Sequence, residues 1–144
     1  MKKAKLISTI LYSLATAITL LMASKFLMAD QYFVYHAEAS GMQWAEIQTG
    51  LQTVYLAVFK ICGAGFLSIG FAMAVLIAVP FIKHNQSWSY YTIPASGLLF
   101  WSITLATTVY ISLSTPASPP WAGSLTVVFL LLAGFLFSLF ARET

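Results

Sequence analysis

The sequence predicts an all-α integral membrane protein: a four-helix bundle, N-in and C-in, with a short interfacial helix in its first outer loop. Four observations predict it. Hydrophobic residues make up 60% of the 144 positions and charged residues 8%, whereas about a quarter of a soluble domain is charged. The mean hydropathy is +0.86, more apolar surface than a soluble chain of this length can hide, so lipid is its solvent. Four apolar stretches, at about residues 6–27, 50–80, 90–113 and 121–140, are each long enough to cross a core of about 30 Å. Finally, four of the seven Lys and Arg residues (Lys2, Lys3, Lys5, Arg142) lie at the chain ends, which is an orientation signal. The net charge of +3 therefore implies no nucleic-acid partner. One domain is expected.

The first stretch, Leu6 to Leu27, follows MKKAK, which looks like the start of a secretion signal. Its apolar part exceeds the roughly 7–15 residues of such signals, and LMASKF is a poor cleavage site, so a retained helix is expected. Lys25 can snorkel outward along its own stem. The connection from Met28 to Thr49 carries Asp30, Glu38 and Glu46 but no Lys or Arg, so it belongs outside. Within it, SGMQWAEIQ reads as an interfacial helix with Ser40 as N-cap and Met42, Trp44, Ala45 and Ile47 on its apolar side.

The second membrane helix runs from Gly50 to about Val79, with Pro80 near its end and Lys83, His84 and Asn85 in an inner turn. The third begins near Trp88, where Trp88, Tyr90 and Tyr91 suit an interface and Pro94 falls in the first turns. Pro116, Pro119 and Pro120 keep the outer turn out of any helix. The fourth helix ends in Ala141, Arg142, Glu143 and Thr144. No internal repeat supports an inverted-repeat transporter.

Lys60 is the first chemical singularity, about ten residues or roughly 15 Å into the second helix. A charge at the centre of a membrane helix costs about 2.5–3.5 kcal/mol, so it needs a reason. One reading is a structural tether paired with Glu46 or Glu38; the other is contact with an anionic or carbonyl-bearing ligand. Gln52, Thr53, Lys60 and Gly63 share a partly polar helix face, as expected toward a bundle interior. Gly63, Ala64, Ser68, Gly70 and Ala72 supply small-residue positions for close helix packing, within the chain or against another.

His36 and Glu38 share a face if extended and part if helical. Their spacing, with Glu46 as a third ligand, matches no metal motif, so no metal is expected. Cys62 cannot form an internal disulfide, and its apolar setting predicts a buried, inert side chain. Thr104, Thr107 and Thr108 can bond to their own helix. No catalytic set and no cofactor motif is visible.

The run YHAEASGMQWAEIQTGLQ, then LxxxKxxGxGFLxxG and PF, resembles small uncharacterised four-helix bacterial inner-membrane proteins with a YHxxxxGxxW outer loop, over residues 32–81. His36, Gly41, Trp44, Lys60, Gly63 and Gly65 are the matching positions. The resemblance implies a bacterial four-helix membrane protein without assigning an activity. Likeness to the DoxX-like group lies in helix count alone.

The expected function is a non-enzymatic accessory protein of the bilayer, assembling with itself or with another membrane protein. The alternatives are a small carrier or a lipophilic-ligand binder, for lipid or quinone. Its candidate ligand contacts are His36, Glu38, Trp44, Glu46, Gln52 and Lys60 at the outer side of the bundle.

Overall fold

The computed structural model describes residues 3–143; Lys2 and Thr144, named above, lie outside them. The order is α1 (Lys3–Met28), α2 (Val34–Ser40), a 3-10 turn (Trp44–Glu46), α3 (Thr49–Leu76), α4 (Ser89–Ser114) and α5 (Trp121–Glu143). Of these, α1, α3, α4 and α5 are long and apolar enough to cross a membrane.

Pro80 does not stop α3. Its missing N–H breaks the regular ladder, and the helix widens to a π-type stretch, Ile77–Lys83. The His84 N–H then reaches back five residues to the Val79 carbonyl at 3.0 Å, and Gln86 N–H to Pro80 at 2.7 Å. Near this end Lys5 Nζ donates to Asn85 Oδ1 at 2.6 Å, and Arg142 Nη1 to the Tyr91 hydroxyl at 2.5 Å. The basic residues of three elements thus gather at one end.

The hub is α1, packed along α3 on one side and α5 on the other; α4 lies along α5, and α3 touches α4 little. Close approach explains the hub. A Cβ added at Gly63 would meet Leu27 Cγ at 2.7 Å, and one at Gly70 would meet Leu20 Cδ2 at 2.7 Å. These glycines, seven residues apart, form the stripe that admits α1, so their partner helix is in the same chain. Ala64, Ser68 and Ala72 are exposed instead. Their four-residue spacing carries them around α3, away from α1, so they do not pack within the chain. The core between the helices holds Tyr12, Met73, Phe81, Ile93, Trp101, Val127 and Leu131. Its polar groups cross-brace it: Trp101 Nε1 donates to Thr19 Oγ1 at 3.0 Å, and Ser8 Oγ to the Gly134 carbonyl at 2.9 Å.

The first loop folds onto the bundle, where Tyr32, Ile47 and Phe59 form a second apolar cluster. Its helix lies earlier than expected. Ser40 ends a helix rather than beginning one, because Gly41 takes the left-handed conformation (φ 68°) and gives its N–H to the Ala37 carbonyl at 2.9 Å. Gln43 then caps the 3-10 turn, with its N–H held by Glu46 Oε2 at 2.6 Å.

Candidate functional site

Sparse contact between α3 and α4 leaves a cleft. The two helices share the turn at Lys83–Trp88 and separate away from it, so the gap opens between the first half of α3 and the second half of α4. It encloses about 430 Å³, within the roughly 300–1,000 Å³ of small-molecule sites. Val58, Cys62 and Gly65 of α3 face Trp101, Thr104 and Thr108 of α4 across it. Met22 and Phe26 of α1 form the back wall, and Tyr35 and His36 of α2 roof it. Its lining is mostly apolar. The rim is open to the side: Cys62 is exposed and Ile103, another lining residue, is 62% exposed. Cys62 is therefore not the buried thiol expected, because its helix face meets the gap rather than a neighbour.

Polar groups collect under the roof. The Thr104 and Thr108 hydroxyls donate to the carbonyls of Phe100 and Thr104, at 3.0 and 3.1 Å, as expected of their own helix. Their oxygens keep acceptor capacity. The His36 ring lies tilted against Tyr35 and Phe59, ring centres 4.0 and 5.1 Å away, and its Nδ1 is buried with no hydrogen-bond partner among the described residues. Burial lowers the His36 pKa; the nearby Phe33 carbonyl offsets part of this without hydrogen-bonding geometry to Nδ1. Burial also pushes the Tyr35 phenol up to about 12, with the Cys62 sulfur adding to it. The roof is thus neutral at pH 7.

Acid therefore destabilises the native state through His36. The unfolded chain protonates near the ordinary 6.5 while the native ring stays neutral, so this contribution is intact above pH 6.5. It is lost as pH falls toward the lower native value. The melting temperature in detergent is expected to drop between pH 7 and 5, and His36→Phe to flatten that drop. An equally steep drop in the variant would remove His36 as its cause.

The other expected contacts do not converge on this cleft. Lys60 lies across α3 from Val58 and Cys62 on the helical wheel. Its ammonium donates to the Leu27 carbonyl and, at 2.8 Å, to that of Ala29. The partners of this tether are a carbonyl in the last turn of α1 and the one just past its end, not a carboxylate. Glu46 serves the Gln43 cap, and Gln52 Nε2 holds the Trp44 carbonyl at 2.7 Å. Trp44 packs edge-on against Tyr32, ring centres 5.0 Å apart. Glu38 turns from His36, as helical spacing requires, and accepts the Ser118 N–H at 3.1 Å.

Sequence reasoning passed over Thr104, Thr108, Gly65 and Trp101 as cleft residues, since helix contacts set the gap. No group of three or more His, Cys, Asp and Glu side chains that could hold a metal exists among the described residues. Compared with family models, curated proteins and solved structures, the chain matches none of them.

Proposed function

We propose that this small membrane bundle is a non-enzymatic binding protein for a lipophilic molecule, which enters the α3–α4 cleft sideways from the bilayer. The observation that carries this reading is the cleft itself: about 430 Å³ of mostly apolar space, open at the rim and polar under its roof. Such a site suits a chain or ring with one hydrogen-bonding end. A bacterial inner membrane, with both termini inside, belongs to the same proposal. Lys5, Lys83 and Arg142 sit toward one end, while Asp30, Glu38 and Glu46 belong to the first loop at the other.

Gly65 gives the test. A Cβ there would have its nearest neighbour, Phe100, at 3.9 Å, so a larger side chain extends into open cleft rather than into packing. Gly65→Leu is expected to remove bound lipid or quinone from native mass spectra of the purified protein while leaving its melting temperature unchanged. Equal adducts in both proteins, or none in the parent after reconstitution with lipid, would overturn the proposal.

The accessory reading keeps one observation, the exposed Ala64, Ser68 and Ala72 on α3. Small residues let membrane helices approach closely. Cysteine placed at Ser68 and crosslinked in membranes would report a second copy there; a monomer pattern would dismiss it.

A further inference from the structure

We infer that the ligand of the cleft is a zwitterionic amphiphile, whose charged head occupies a second cavity, lined in part by charged residues and stacked directly on the cleft. This rests on the cleft being a binding site and adds the chemistry of the head.

The second cavity encloses about 540 Å³ and shares Met22, Phe26, Tyr35 and Pro120 with the cleft. The shared wall fixes their relation. Ile18, Met22 and Phe26 line the cleft, and Met22, Phe26 and Ala29 line the upper cavity, so one stripe at helical spacing runs through both. From Ile18 to Ala29 it rises about 16 Å. The two spaces are therefore end to end along α1, the more apolar one deeper and the one bearing charged residues toward the loop.

The upper cavity holds Lys25, Asp30 and Glu38. The side chains of Lys25 and Asp30 make no hydrogen bond or ion pair among the described residues, and Glu38 has one oxygen engaged by the Ser118 N–H; all three residues are exposed. One ammonium and two carboxylates thus face the same space without neutralising one another. An anionic head would meet Asp30 and Glu38, and a cationic head would meet Lys25. A head carrying both signs satisfies all three, with its phosphate toward Lys25 and its ammonium between the carboxylates. An uncharged head would gain a charge-assisted bond from none of them.

The experiment uses the intact protein in detergent and lipids of identical acyl chains. Phosphatidylethanolamine, phosphatidylglycerol and diacylglycerol are titrated in native mass spectrometry, alongside soluble glycerophosphoethanolamine. Phosphatidylethanolamine is expected to be retained about tenfold better than the other two lipids, the effect of one charge-assisted hydrogen bond. Lys25→Gln and Glu38→Gln should erase that preference without weakening diacylglycerol; glutamine at 38 keeps an acceptor for Ser118. Gly65→Leu should remove all three lipids. Equal retention of the three, still lost in Gly65→Leu, would overturn the headgroup assignment and leave the cleft reading standing. Glycerophosphoethanolamine binding as tightly as its lipid, and unaffected by Gly65→Leu, would overturn the stacking and leave a soluble zwitterion as ligand.

Discussion

Lys60→Met is expected to lower the melting temperature in detergent by about 5–10 °C, from the loss of roughly 2–3 kcal/mol in charge-assisted hydrogen bonds. The ammonium bonds the carbonyls of Leu27 and Ala29, which α1 cannot satisfy at its own C-terminus. A cation there also meets the negative end of the helix dipole. Against this stands the cost of a charge in lipid, and its depth decides the balance. Lys60 is level with the end of α1, whose apolar length of about 33 Å matches the hydrocarbon core, so the charge lies at the core's edge. The full central cost does not apply, and the loss of bonds wins. Glu46→Gln should cost less, because it weakens one cap. The two changes should add, since Glu46 serves Gln43 rather than Lys60. A double variant no worse than Lys60→Met alone would restore the carboxylate partner and refute the carbonyl tether.

That tether also sets the shape of the site. Lys60 is eleven residues past Thr49, so α3 extends about 16 Å beyond the end of α1. The first loop fills the step: α2 and the 3-10 turn sit above α1 and lean on the exposed turns of α3 through Tyr32, Ile47 and Phe59. The roof of the cleft is therefore hung from the same junction. Lys60→Met should loosen it and reduce lipid retention as well as stability.

The four membrane-length helices were legible because the signal is one-dimensional: apolar length against bilayer thickness. Helical spacing alone also puts Gln52, Thr53, Lys60 and Gly63 together on one polar face. What they face was not legible: Thr53 is exposed and bonds its own helix at Thr49, while Gln52, Lys60 and Gly63 meet the loop and the end of α1. Carboxylates are the obvious partners of a lysine in a sequence, whereas the carbonyls freed at a helix end belong to no residue type and leave no trace in composition. The loop helix was misplaced for want of weight on Gly41, a helix-ending signal that stood immediately after Ser40. The cleft had no sequence signal at all. It exists because α1 and α5 take the close contacts, through Gly63, Gly70 and Gly134, and leave α3 and α4 apart.

The contact at Gly134 gives the sharpest steric expectation. A Cβ there would fall 2.7 Å from Tyr12 Cε1 and 2.8 Å from Cδ1. Tyr12 cannot retreat: its ring is fully buried and held edge-on by Phe81, with centres 5.8 Å apart. Gly134→Ala is therefore expected to cost about 1–3 kcal/mol, the usual penalty of overpacking. The same change at Gly123, in the same helix and with nothing within 4 Å, should be neutral or stabilising by up to about 1 kcal/mol through helix propensity. The contrast separates sterics from propensity, because propensity favours alanine at either site. Tyr12→Leu should shrink the penalty of Gly134→Ala, since the nearest colliding atom, Cε1, is then gone and the remaining Cδ methyl, no longer part of a ring, can turn aside. Thermal melts of the four proteins in one detergent decide it: a penalty that survives Tyr12→Leu would mean that α5 is held to α1 by something other than this ring-to-backbone contact.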